Sequence, residues 1–111
     1  MGGRLAWATV TRKMLREAGA VMAEAEGIID TLNSIAGLEV AILFKEVGSR
    51  LTKMSVRTRG AVDAAALCAQ FGGGGHVRAA GAEIQAPVDQ AAEQVLRAAH
   101  AAIAEASNGR T

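Results

Sequence analysis

The stretch Gly72-Gly73-Gly74-Gly75-His76-Val77-Arg78-Ala79-Ala80-Gly81 holds the residues best suited to chemistry. Four consecutive glycines remove every Cβ from a bend, so the backbone can take positive φ and come close to a ligand. An imidazole and a guanidinium follow at once, and the small pair Ala79 and Ala80 predicts that the loop passes into a short helix at His76. Unpaired N–H groups at a helix start, together with the helix dipole, suit an anion. The chemistry this pattern offers is phosphate binding, with one titratable and one cationic side chain beside the loop. A glycine run also serves as a flexible linker, and a lone His is commonly structural. Against a linker stand the absence of Ser and Pro and the apolar flanks, Leu67 and Phe71 before the loop and Ile84 after it.

A second group sits on the segment Leu51 to Thr58, where Thr52, Met54 and Val56 alternate with Lys53, Ser55 and Arg57. In a strand these two sets face opposite sides. Arg57, near the strand end, can hold a phosphate in a bidentate way, and Ser55 beside it can add a hydroxyl. On the residues alone, the plainer reading of Lys53, Ser55, Arg57 and Arg59 is the solvent side of an antiparallel pair. Glu24 and Glu26 lie close together, but no His or Asp completes a coordination set, and acids suit a helix start. Cys68 stands among alanines without a His or Asn partner, which marks a small buried residue rather than a nucleophile. His100 falls beside the apolar stripe of the last helix and reads as surface or boundary.

The elements that must position these groups follow from periodicity. Leu5 to Val10 predicts a first strand anchored by Trp7; Thr11 caps a helix over Arg12 to Ala18 with Met14 and Leu15 in the core, and Gly19 stops it. Ile28, Ile29, Leu32, Ile35 and Ala36 form one helical stripe closed by Gly37. Leu38 to Glu46 predicts a strand apolar on both faces, hence interior, and Val47-Gly48-Ser49-Arg50 the turn into the strand that carries Arg57. Asp63 caps a short helix, Ala64 to Phe71, that delivers the chain into the glycine loop. Ala82 to Ala86 returns to the sheet, and Pro87 opens a last helix with its stripe at Val88, Ala91, Ala92, Val95, Leu96, Ala99 and Ile103, fraying from Ser107. The expected fold class is α/β of the α+β type: one mixed β-sheet of about four to five strands with helices packed on it, and a glycine-rich loop leading into a short helix.

Composition bounds the partner. A chain of 111 residues builds one domain, and 50% hydrophobic with 21% charged residues fits a folded protein. No apolar stretch is long enough for a bilayer and the start lacks a signal-peptide pattern, so the expectation is a cytoplasmic chain without membrane partners. A net charge of +1 excludes a global field that steers the protein onto long nucleic acid. One Trp, two Phe and no Tyr leave few platforms for stacking successive bases, which favours a short ligand.

With Phe71-Gly-Gly-Gly-Gly-His76-Val-Arg-Ala-Ala-Gly81 preceded by Ser55-Val56-Arg57-Thr58, the chain resembles the C-terminal, DHH-associated domain (type one) of DHH-family phosphoesterases. It is most similar to the nanoRNase, pAp phosphatase and cyclic-dinucleotide phosphodiesterase branch. The resemblance runs through Leu5-Ala6-Trp7, Gly19, Gly27-Ile28-Ile29-Asp30 and Gly37-Leu38-Glu39-Val40-Ala41, nearly the whole chain. It implies that residues 1–111 are a substrate-binding domain of a two-domain phosphoesterase, acting on short RNA, linear or cyclic dinucleotides or pAp. Gly73, Gly74, Gly75 and His76 would contact the nucleotide, Arg57 would clamp a phosphate, and Arg78 matches a basic position of the motif. The family's Mn2+ centre would lie in an N-terminal DHH domain, because no Asp-His-His occurs here; the chain alone is expected to hold no cofactor and to hydrolyse nothing. A homodimer is also compatible with the family. The alternative is a stand-alone nucleic-acid-binding module related to the C-terminal domain of alanyl-tRNA synthetase or to RecJ-type exonucleases. A third reading is a dimerisation unit with an inert loop, which a large exposed apolar patch would support.

Overall fold

The computed structural model describes residues 4–35 and 37–108. The elements run β1 (Leu5–Val10), α1 (Arg12–Ala18), a 3-10 turn (Met22–Ala25), α2 (Glu26–Asn33), β2 (Val40–Gly48), β3 (Leu51–Thr58), α3 (Ala64–Ala69), β4 (Gly74–Gly75), β5 (Ala79–Ile84) and α4 (Val88–Asn108). They build one five-stranded mixed sheet in the order β1-β2-β3-β5-β4, with β1 parallel to β2 and every other pairing antiparallel. A parallel neighbour needs a long crossover, and α1 with α2 supplies it. Among the described residues no helix is long and apolar enough to cross a membrane.

Alternation along β2 divides the interior in two. Val40, Ile42 and Phe44 point into the larger core with Met54 and Val56 of β3, Ala80, Ala82 and Ile84 of β5, and the helices α3 and α4. Ala41 and Leu43 point the other way, into a smaller core with Val10, Ala25, Ile29 and Leu38. This double burial is what the two-faced apolar run Val40–Phe44 predicts, and it makes β2 the interior strand. The α4 stripe is also as expected: Ala91, Val95, Ala99 and Ile103 are fully buried, with Val88, Ala92 and Leu96 packed beside them. Buried polar groups are paired, since the Thr52 hydroxyl donates to the Ala86 carbonyl at 3.0 Å and the Thr58 hydroxyl to the Val77 carbonyl at 3.0 Å.

Local capping follows the sequence closely. Thr11 accepts from the Met14 amide, Gly19 ends α1 at φ 68°, and the Asp63 carboxylate accepts from the Ala66 amide at the start of α3. Several packing expectations are corrected. Trp7 does not anchor β1: it is 48% exposed, because β1 is an edge strand paired only with β2. Met14 is exposed rather than core, its sulfur accepting from the Thr11 amide, whereas Leu15 does pack on the smaller core. The α2 stripe is narrower than its periodicity suggests; Ile29 is buried and Leu32 partly so, but Ile28 and Ile35 are exposed, and Ala36 lies outside the described residues. β5 begins at Ala79 rather than Ala82. Ser107 is helical and accepts a hydrogen bond from Arg4 Nη1 at 2.8 Å instead of fraying, while 109–111 lie outside the described residues.

Cys68 is fully buried in the larger core, and desolvation pushes its thiol pKa up to about 11 from 9.0. The unfolded chain therefore loses this proton at lower pH than the folded one. The stability that this group supplies is complete below about pH 9 and is lost as pH rises toward 11, on the order of 2 to 3 kcal/mol. Urea unfolding at pH 8 and pH 10.5 should show a larger loss for the wild-type chain than for Cys68→Ala; an equal loss in both would refute the assignment.

Candidate functional site

Register fixes which side chains share a face. Arg57 of β3 lies between Ala41 of β2 and Ala79 of β5, Ser55 between Leu43 and Gly81, and Lys53 between Lys45 and Glu83. All sit on the side opposite the larger core. There the helix layer covers β1, β2 and part of β3, while β5 and β4 carry no helix on that side. The result is a groove of about 310 Å³ lined by Glu26, Lys45, Lys53, Ser55, Gly81 and Glu83, with Gly81 as floor. Lys53 and Glu83 are exposed, and Ser55, Arg57 and Gly81 half-buried. Lys53 and Ser55 of the polar set on β3 thus line a concavity, while Arg57, on the same face, lies beyond its lining.

The glycine loop reaches the same face by a different route from the one its sequence suggests. No helix begins at His76. The His76 amide donates to the Ala79 carbonyl at 2.8 Å and the Ala79 amide returns a bond to the His76 carbonyl at 3.3 Å, closing a β4–β5 hairpin with Val77 and Arg78 at its tip. The proposed anion site at a helix start therefore falls. Its amides are largely committed, because Gly72 donates to the Ala69 carbonyl at 3.2 Å and Gly73 to the Cys68 carbonyl at 2.9 Å. With His76 and Ala79 a doubly bonded pair, antiparallel alternation turns the Gly75 N–H outward from the sheet edge.

Each glycine has its own reason. A Cβ on Gly73 would lie 2.1 Å from the Gly81 carbonyl oxygen, one on Gly75 2.7 Å from Ala80 Cα, and one on Gly81 2.9 Å from the Met54 carbonyl oxygen. These three let the β4 backbone lie against β5 and β5 against β3. Gly72 is held at φ 80°. Gly74 differs: its φ is not positive and a Cβ there would meet nothing within 4 Å. In register with Gly81 and Ser55, it leaves open space on the groove side.

The predicted site residues come together only in part. His76 is opposite Ala79, which is opposite Arg57, so three adjacent strands carry Arg57, Ala79 and His76 in one row, with roughly 10 Å between the outer backbones. His76 is exposed; Arg57 Nη1 donates to the Val56 carbonyl at 3.2 Å, which leaves its remaining donors for a ligand. Arg78 is spent elsewhere: its Nη1 donates to the Gly60 carbonyl at 2.5 Å, and the tip is further fixed by bonds from the Ala64 and Thr58 amides to the Val77 and Arg78 carbonyls. Arg59 likewise donates to the Asn33 carbonyl at 2.6 Å, at the C-terminus of α2. Lys45, an ammonium buried beside the smaller core and paired with Glu26, was not singled out by the sequence, where it reads as the end of an apolar strand. The Glu24 carboxylate, for its part, accepts from the Val21 amide at 3.2 Å. Among the described residues no three His, Cys, Asp or Glu side chains converge. A hollow of about 350 Å³ lies on the other side of the sheet, between α3 and α4, with Asp63 already engaged as a cap.

Residues 3–105 match the model of the DHHA1 domain. The chain belongs to the DHHA1 domain family. It is 34% identical over 90 residues to the bifunctional oligoribonuclease and PAP phosphatase NrnA of Thermus thermophilus, covering 80% of this chain and 27% of the relative. The DHHA1 chain therefore spans about a quarter of that relative's length. Among solved structures, an exopolyphosphatase-related protein from Bacteroides fragilis superposes with a TM-score of 0.73 at 22% identity, covering 92% of this chain and 29% of the other. The C-Ala domain of Aquifex aeolicus alanyl-tRNA synthetase gives a TM-score of 0.58 at 15% identity, over 83% and 89% of the two chains. The pGpG-specific phosphodiesterase PggH from Vibrio cholerae gives 0.53 at 11%, over 90% and 34%. These three likenesses carry the fold.

Proposed function

We propose that this DHHA1 domain is the nucleotide-binding half of a phosphoesterase acting on short RNA, dinucleotides or pAp. The observation that carries the proposal is the row Arg57–Ala79–His76, which lies on the same sheet face as the groove at Lys53, Ser55 and Gly81 and beside Gly74, a position without a side chain. In this reading Arg57 holds a phosphate through charge-assisted bonds, Ser55 adds a hydroxyl, and His76 orients a phosphate or base edge from the hairpin. Gly73 and Gly75 serve by bringing the backbone close, and Gly74 by leaving room. Arg78 holds the hairpin tip and supports the site indirectly. The relationship to NrnA, an oligoribonuclease and PAP phosphatase, supports short nucleotides as ligands; in this reading a preceding DHH domain of a cytoplasmic enzyme holds Mn2+ and carries out hydrolysis.

The likeness to the C-Ala domain keeps a stand-alone nucleic-acid-binding role as the second reading. Isothermal titration of the 111-residue chain with pAp and diadenylate, without metal, should show weak binding. The same sample with added Mn2+ should release no mononucleotide. Manganese-dependent release by the pure chain would overturn the division of labour, and tighter binding to long tRNA-like duplexes than to diadenylate would favour the second reading.

A further inference from the structure

Lys45 and Lys53 are direct cross-strand partners on the groove side of β2 and β3. Like charges placed opposite each other in a sheet destabilise it, so such a pair calls for an anion. One is present: Glu26, the first residue of α2, pairs with the Lys45 ammonium. The Glu26 side chain is 48% exposed while that of Lys45 is 6% exposed, so the cation is fixed and the carboxylate is free to swing into solvent. Lys53 has neither an ion pair nor a hydrogen bond among the described residues. Glu83 is the cross-strand partner of Lys53 on the side away from Lys45, whereas Glu26 lines the groove at the Lys45 side.

We infer that Lys45 and Lys53 form a second anion subsite for a terminal phosphate of the bound oligonucleotide, and that Glu26 occupies it when no nucleotide is present. The inference rests on nucleotide binding at Arg57. Residues 53 and 57 are separated by about 13 Å along β3, with only Ser55 and the bare floor at Gly81 between them. Two long cationic side chains on one face, set that far apart, match phosphates about two nucleotide steps apart. A nucleoside monophosphate, with a single phosphate, cannot satisfy both ends. The subsite therefore selects for a short phosphorylated strand, and Glu26 sets a competition that the dianionic phosphate monoester wins over an internal diester.

The test is calorimetric titration of the chain with 5′-phosphorylated diadenylate (pApA) and with unphosphorylated diadenylate (ApA), on wild type, Lys53→Gln, Glu26→Gln and Arg57→Gln. Lys53 and Glu26 are exposed, and circular dichroism confirms folding of each variant. Wild type should bind pApA about three- to tenfold more tightly than ApA. Lys53→Gln should erase that preference by weakening pApA several times more than ApA, and Glu26→Gln should tighten pApA severalfold by releasing Lys45. Equal wild-type affinities for the two ligands, with both lost in Arg57→Gln, would overturn the subsite and leave nucleotide binding standing. Failure of wild type to bind either ligand would overturn both.

Discussion

Gly73→Ala is expected to lose at least about 2 kcal/mol of stability, whereas Gly74→Ala stays within about 1 kcal/mol of wild type. The two glycines are neighbours of identical chemistry, so the contrast comes from place alone. A methyl at 73 would drive into the Gly81 carbonyl and Ala82, both backbone-fixed in β5, and only separation of β4 from β5 can relieve it. A methyl at 74 meets open space, and its backbone carries no positive φ. That methyl would stand over the groove side, opposite Gly81, and should weaken nucleotide binding while the fold holds. Urea denaturation with a parallel nucleotide titration separates the outcomes. Equal stability of the two variants would show that β4 does not lie against β5 as described.

Arg57→Gln should lower affinity for a short nucleotide by about tenfold or more, because a charge-assisted bond contributes roughly 1.5 to 3 kcal/mol where its partner is partly shielded. Glutamine is shorter but keeps the methylene stem that lies between Ala41 and Ala79, so packing there is preserved. Stability should change little, and a rise in salt should weaken the wild-type complex more than the variant's. Unchanged affinity in Arg57→Gln, measured at low ionic strength, would return Arg57 to an ordinary surface role.

Local signals in the sequence transferred well to the fold. Thr11, Gly19 and Asp63 act within one turn of themselves, and the caps they form depend on little else. Alternation through Thr52–Arg57 gave the right faces because β3 has a single pairing register on each side. What the sequence could not show was tertiary. Trp7 looks like an anchor until the strand order makes β1 an edge, and Ala79-Ala80 looks helical until Gly81 and the glycines at 73 and 75 permit a close strand pairing. Lys45 shows the same gap: at the end of an apolar run it reads as a strand terminus, and only the packing of α2 brings Glu26 to it. Within the site, Arg57 and His76 were legible as candidates through the resemblance, and register sets them in one row on one face, while the diversion of Arg78 to the Gly60 carbonyl depends on how the hairpin tip folds back.

The central claim is that nucleotide phosphates bind on the open side of β3, β5 and β4. An NMR titration of the 15N-labelled chain with pApA tests it most directly. Amide shifts should concentrate at Ser55, Arg57, Gly74, Gly75, His76 and Gly81, with the outward-facing Gly75 N–H among the largest. Shifts confined instead to Asp63, Gln70 and Glu105, around the hollow between α3 and α4 on the other side of the sheet, would contradict the account.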